Sequence, residues 1–181
     1  EAKEFLDMSL KETSRLQKLV DDLLDFNRFA ANTVTVTPQW VDLRSEMNDI
    51  TVRWQQAQER KNVHPAVEIR DEEARWQVLT DPVRLEQIMV NLFNNARDAM
   101  EAGGNLTIRL YAEPSQFRIE VQDTGEGIPE AEQKLVFEAF YRGEKKRVHT
   151  PGLGIGLSFS RLIARSLGGD LVLTRSSREG T

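Results

Sequence analysis

The chain has 181 residues, of which 39% are apolar and 29% charged, enough apolar material for a packed core. A net charge of −5 with no basic arm or stripe excludes a general nucleic-acid binder, whose affinity rests on clustered Lys and Arg. The absence of cysteine, two well-separated histidines (His64 and His149) and the lack of any run near the roughly 18–20 apolar residues of a membrane helix exclude a disulfide framework, a thiolate zinc site and a spanning segment. A soluble, cytoplasmic piece that makes no membrane contact of its own is expected, whatever anchors its parent.

Residues 1–31 contain neither Pro nor Gly, and Leu16, Leu19, Val20, Leu23 and Phe26 recur at helical spacing, which predicts a long amphipathic helix whose stripe needs a partner. Residues 31–37 read as a polar connector, and a domain boundary is placed there, giving segments 1–34 and 35–181. Asp42 caps a helix to about residue 60, with Leu43, Met47, Ile50 and Trp54 on one face. Residues 67–69 and 76–79 read as short strands. Asp81-Pro82 opens a helix to about Met100, before Gly103-Gly104.

Residues 106–110 and 117–121 alternate with period two around a Pro-Ser turn, as antiparallel neighbours do. A short helix over 130–136, an irregular charged segment to Pro151, a helix over 153–167 and a strand over 170–174 complete the chain. Together these predict an α+β fold, a two-layer α/β sandwich with a mixed sheet and its helices on one face, preceded by the long helix.

Three segments carry chemistry. Asn91 and Asn95 are four residues apart and share a helix face, with Ile88, Leu92, Ala96 and Ala99 beside them. Taken alone, such a pair is usually solvated, yet an amide oxygen is a neutral hard ligand suited to Mg²⁺. Asp123 ends a strand before Gly125 and Gly127; its carboxylate is able to accept from the exocyclic amine of adenine, whereas guanine offers a carbonyl there. Gly152-Leu153-Gly154-Ile155-Gly156-Leu157 precedes a helix, whose amides and positive end suit phosphate oxygens. The glycine spacing is neither a dinucleotide fingerprint nor a Walker loop, which disfavours Rossmann and P-loop enzymes.

In this order, Asn91-Leu92-Phe93-Asn94-Asn95-Ala96, Asp123-Thr124-Gly125-Glu126-Gly127-Ile128-Pro129 and the glycine segment resemble the ATP-binding domain of sensor histidine kinases, within the Bergerat ATPase superfamily. The resemblance covers essentially the whole chain. It implies ATP and Mg²⁺ as cofactors, with Asn95 the principal magnesium ligand and Asn91 its companion. It further implies nucleotide contacts by Asp123, Gly125, Gly127, Ile128, Gly152, Leu153, Gly154, Ile155, Gly156 and Leu157, and neutralisation of terminal phosphates by Arg142. Phe137-Glu138-Ala139-Phe140-Tyr141-Arg142 resembles the family's aromatic box, with Phe137 and Phe140 as packing residues, and 143–151 occupies the place of the ATP lid.

Residues 15–26 resemble the second helix of the dimerisation hairpin. A homodimer through hairpin helices and a response-regulator receiver domain as partner follow by resemblance. By the same resemblance, the first hairpin helix, with the acceptor histidine, and the last strand of the domain are expected to lie outside this chain; His64 and His149 lack the acceptor context, and Lys145, Lys146 and Arg147 read as solvated charges. Many relatives carry a basic residue three positions after the magnesium Asn, where this chain has Asp98, and Arg97 is rotated about 100° away. Two other functions compete. A clamp ATPase of the gyrase or mismatch-repair type uses a Glu where Asn91 stands, and a nucleotide-binding adapter would bind ATP without transfer.

Overall fold

The computed structural model describes residues 35–58, 62–71, 73–143, 153–177 and 179–181, together with positions 5, 6, 9, 10, 13, 16, 17, 20, 21, 23, 24, 26–28 and 31. All described positions between Phe5 and Arg28 are helical; Leu19 of the expected stripe lies outside the described residues. Phe5, Leu6, Leu10, Leu16, Val20 and Leu24 stay exposed, whereas Phe26 packs edge-on against both Phe140 and Phe159.

From Gln39 the element order is β1 (Gln39–Asp42), α1 (Leu43–Ala57), β2 (Val63–Ile69), β3 (Gln77–Thr80), α2 (Pro82–Ala99), β4 (Gly104–Ala112), β5 (Phe117–Asp123), α3 (Glu130–Gln133) and α4 (Gly156–Ser166). Strands β2, β4 and β5 form a mixed sheet in that order, with β2 parallel and β5 antiparallel to β4. β1 and β3 form a separate antiparallel ribbon, in which Trp40 faces Leu79.

Local chemistry explains the two main helices. Asp42 caps α1 by accepting from the Arg44 and Ser45 amides, and the Ser45 bond leads the causes that hold its carboxyl below the usual range. Asp81 caps α2 by accepting from Val83 and Arg84, with Pro82 in the first turn. Its second carboxylate oxygen accepts from the Thr37 amide, tying the connector to the start of α2.

Packing places α2 at the centre. Leu43, Met47, Ile50 and Trp54 of α1 meet Leu85, Met89, Phe93 and Ala96 of α2 over Leu106, Ile108 and Leu110 of β4. On a second stripe of α2, Ile88 packs with Phe159, Ile163 and Ala164 of α4. Both helices therefore lie on one side of the mixed sheet. The side chains of Thr107, Arg109 and Tyr111 alternate with the buried ones, and Arg109 bonds Glu68, Glu120 and Gln122 across all three strands.

Several expected boundaries shift, each for an identifiable reason. The first capped helix stops at Ala57, where Gln58 turns extended and its side chain bonds back to the Trp54 carbonyl. β1 was not expected, because four residues form a strand here only through pairing with β3. α3 ends at Gln133 and not near Val136, since Lys134, Leu135 and Glu138 close three-residue turns instead of continuing an α-ladder. α4 begins at Gly156, not Leu153, because the Gly154 carbonyl is taken by the Phe140 amide. Residues 170–174 alternate between exposed and half-buried but are not a strand; alternation alone supplies no ladder, and Asp170 instead binds Arg161 and Arg165.

Candidate nucleotide site

One face of α2 organises the site. Its two apolar stripes leave a polar sector that carries Asn91, Asn95 and Asp98. Asn91 Nδ2 donates to Ser160 Oγ on α4 at 2.8 Å. One turn on, Asn95 Nδ2 is the one side-chain nitrogen or oxygen among the described residues that is buried without a partner. A buried amide atom left unsatisfied costs about 1–3 kcal/mol. The nitrogen and oxygen of an amide exchange places by a simple flip. The orphaned position therefore fits either a phosphate oxygen or, flipped, a magnesium ion.

The remaining amide of the motif has a different task. Asn94 Oδ1 accepts from Trp54 Nε1 at 3.0 Å, joining α2 to α1. Arg97 lies on that same side: its Nη1 donates to Gln58 Oε1, while Nε and Nη2 both donate to Asp98 Oδ1. The guanidinium thus neutralises Asp98 and is held toward the end of α1.

At the far end of the same helix lies the turn after β5. Asp123 is buried, and its Oδ1 accepts from the Gly125 amide at 2.8 Å. A methyl on Gly125 would lie 2.6 Å from the Ala99 carbonyl oxygen, so the turn sits directly on the last residues of α2. Glu126 donates to that same carbonyl. Gly127 adopts φ +68°, and a methyl there would lie 1.7 Å from the Ser177 carbonyl oxygen. Ile128 donates to Ser176 Oγ.

The other wall is the start of α4. Gly156 lies against Asn91, where a methyl would come 2.6 Å from Asn91 Oδ1. Ile155 is buried, and its carbonyl accepts from Ser158 Oγ. Leu157 follows as the second residue of α4, and Leu153 as a half-buried residue before Gly154. Gly154 abuts Tyr141 and the Arg142 side chain, and the Phe140 amide bonds its carbonyl. This brings Arg142 beside the glycine turn. Phe137 lies under the guanidinium of Arg161, and Phe140, with φ 67°, meets Phe26.

Thus Asn91, Gly154, Ile155, Gly156, Leu157 and Arg142 cluster at one end of the α2 face. Asp123, Gly125, Gly127 and Ile128 cluster at the other, and Asn95 lies between. Gly152 and residues 144–151, including Lys145, Lys146, Arg147 and His149, lie outside the described residues. His64 is exposed on β2. Sequence reasoning missed Ser160 and Ser176, whose hydroxyls serve Asn91 and Ile128; for Ser160 the available signal was its position four residues after Gly156, on the same face of α4. A separate hollow of about 360 Å³ between Trp40, Leu79, Pro114 and Phe117 shares no residue with these motifs.

A mixed sheet covered on one side by helices, with glycine turns at both ends of a single Asn-bearing helix, is a two-layer α/β sandwich with a candidate nucleotide site along one helix face. The chain belongs to the family of histidine kinase-, DNA gyrase B- and HSP90-like ATPases, which its residues 80–181 match. It is 32% identical over 173 residues to the aerobic respiration control sensor protein ArcB of Escherichia coli strain K12, covering 92% of this chain and 22% of that protein. The chain thus spans about a fifth of that relative.

Among solved structures, full-length ShkA in complex with AMPPNP superposes with a TM-score of 0.83 at 24% identity, over 98% of this chain and 36% of that one. Histidine kinase ThkA in complex with the response regulator TrrA gives a TM-score of 0.74 at 22% identity, over 99% and 48% of the two chains. These likenesses establish the fold. Among the described residues, no helix is long and apolar enough to cross a membrane.

Proposed function

We propose that this chain is the ATP-binding part of a two-component sensor histidine kinase, with residues 1–34 as the second helix of a dimerisation hairpin and 35–181 as the catalytic domain. The observation that carries the reading is the buried, unpartnered amide nitrogen of Asn95 between the Asp123 turn and the glycine turn. Asp123 selects adenine by accepting from its exocyclic amine, and the turn at Gly125 and Gly127 brings backbone against the ring. The amides at the start of α4 and the Arg142 guanidinium meet phosphate oxygens. Asn95 and Asn91 would hold Mg²⁺, which when bound supplies neutralisation of the phosphate charge.

The reaction is phosphoryl transfer by positioning. A histidine nitrogen of the hairpin attacks the γ-phosphorus in line, its bond forming as the bond to the β–γ bridging oxygen breaks and ADP leaves. The phosphoryl group then passes to an Asp of a response-regulator receiver domain, the kind of partner with which ThkA was solved. Dimerisation through the hairpin is part of the same proposal. At the place of a hydrolytic clamp's general base stands Asn91, which has no carboxylate to take a proton from water.

The test is transfer in trans. Mixed with Mg-ATP and a polypeptide bearing a complete hairpin, the chain should label that hairpin on histidine and leave its own His64 and His149 unlabelled. Asn95→Ala should abolish the labelling, and the site should bind Mg-ATP in preference to Mg-GTP by calorimetry. Normal ATP binding without any transfer would replace the kinase with a nucleotide-binding adapter.

A further inference from the structure

Ser160 has no place in the motifs that announce the site, yet it touches one of their residues. It is 2% exposed, in the second turn of α4, and its hydroxyl accepts from Asn91 Nδ2 at 2.8 Å. Its neighbour two residues earlier, Ser158, spends its hydroxyl on the Ile155 carbonyl of its own first turn. Ser160 is therefore committed across the helix interface, 69 residues away in sequence. A buried helical Ser has its own i−4 carbonyl available for the hydroxyl proton, which leaves a lone pair for the amide N–H.

The consequence lies at the other end of the amide. Nitrogen and oxygen of a carboxamide are nearly isosteric, and only hydrogen bonding decides which faces where. Only the oxygen is a ligand for a hard cation. With the nitrogen committed to Ser160, Asn91 Oδ1 projects along the first residue of α4, where Gly156 has no side chain to obstruct it. Asn95 has no such partner: its Nδ2 is buried and unbonded. The two amides of the face are thus differently prepared, one oriented in advance and one awaiting a ligand.

We propose that Ser160 is a positioning residue for magnesium-nucleotide binding, holding the Asn91 carboxamide with its oxygen toward the metal and phosphates. This rests on the assignment of Asn91 and Asn95 to Mg²⁺ above. Ser160 touches neither metal nor nucleotide; it acts through Asn91, as groups that hydrogen-bond a metal ligand generally do.

The experiment is a titration of Mg²⁺ against binding of a fluorescent, non-hydrolysable ATP analogue to the whole chain. It compares wild type, Ser160→Ala, Ser160→Cys, Asn91→Ala, the Asn91→Ala/Ser160→Ala pair, and Asn95→Ala. Ser160→Cys keeps the buried volume while weakening the acceptor, so the question survives if the alanine variant folds poorly. Both Ser160 variants should raise the Mg²⁺ midpoint roughly tenfold, the lower end for loss of a ligand-orienting bond, while binding measured in EDTA stays unchanged. In the Asn91→Ala background, Ser160→Ala should add nothing further, because the group it orients is gone.

Midpoints equal to wild type in both Ser160 variants, with Asn95→Ala still shifting it, would overturn the positioning role and leave the metal site standing. A Ser160 effect that persists undiminished without the Asn91 amide would overturn it as well, by assigning Ser160 to packing alone. If neither Asn91→Ala nor Asn95→Ala moves the midpoint, the metal assignment itself fails and the role of Ser160 falls with it.

Discussion

Three glycines separate backbone strain from steric exclusion in this fold, and Gly127 combines both. Gly168, at φ +83°, has nothing within 4 Å of an added methyl, so Gly168→Ala carries only the left-handed cost, roughly 1–2 kcal/mol. Reduced freedom of the unfolded chain offsets about 0.4–1 kcal/mol of that. Gly127→Ala has the same strain at φ +68° but also sets a methyl 1.7 Å from the Ser177 carbonyl oxygen, against an ordinary contact of 3.4 Å or more. The backbone at Ser176 and Ser177 must retreat, and the Ile128 bond to Ser176 Oγ at 2.7 Å and the Ser177 bond to the Gly180 carbonyl at 2.8 Å are at risk.

Together with that backbone strain, overpacking of about 1–3 kcal/mol and one or two hydrogen bonds of about 0.5–1.5 kcal/mol each bring the total to roughly 2–8 kcal/mol. For a chain of this size each kcal/mol lowers Tm by about 2–4 °C. At the middle of that range Gly127→Ala should therefore melt about 10–20 °C below wild type, and Gly168→Ala within about 6 °C of it. Gly125→Ala, whose φ lies outside the left-handed region, should fall between them through its clash with Ala99 alone. The assay is thermal unfolding without nucleotide. A Gly127→Ala protein melting as high as Gly168→Ala would refute the claim that the turn is pinned against Ser177.

Two further outcomes follow from single contacts. Trp54→Phe keeps most of the buried ring, which packs on Phe93, but leaves Asn94 Oδ1 without its donor; it should lower stability by about 1–2 kcal/mol in urea unfolding, and an unchanged midpoint would dismiss the α1–α2 amide link. Asp170 is held well below the usual carboxylate range, chiefly by the Arg161 guanidinium. A depressed folded value contributes stability above the unfolded pKa of about 3.9 and loses it as pH falls through the folded value. Because the pair is only partly buried, Asp170→Asn should lower Tm by only about 1–3 °C at pH 7. That gap should narrow below about pH 4 and with added salt; a gap that persisted in acid would point to packing instead of charge.

What the sequence disclosed follows from how local each signal is. The caps Asp42 and Asp81-Pro82 act on amides two and three residues away, and both helices start where those residues stand. The face of Leu43, Met47, Ile50 and Trp54 is buried as its period requires. β1 was illegible because its partner lies 35 or more residues on, and 170–174 misled because alternation reports half-burial without reporting a neighbour. Helical period likewise places Asn91 and Asn95 on one face, but not the difference between them. That difference depends on Ser160: its spacing from Gly156 places it on the same face of α4, but helical period does not say that its partner is Asn91 on another helix.

The glycine segment shows why that gap matters. From the sequence, Gly154 and Gly156 read as phosphate-binding backbone, freed from side chains so that a ligand approaches closely. In the structure, before any ligand enters, Gly156 already serves a protein contact: it admits Asn91 Oδ1 against the first turn of α4, while Ser160, four residues on, takes the nitrogen of the same amide. The spacing of Gly156 and Ser160 is one helical turn, so a single face of α4 both admits and orients Asn91. Under the proposed function, binding phosphate and fixing the neighbouring amide are therefore one requirement on this turn. A substitution at Gly156 should disturb nucleotide binding even where the backbone amides remain in place.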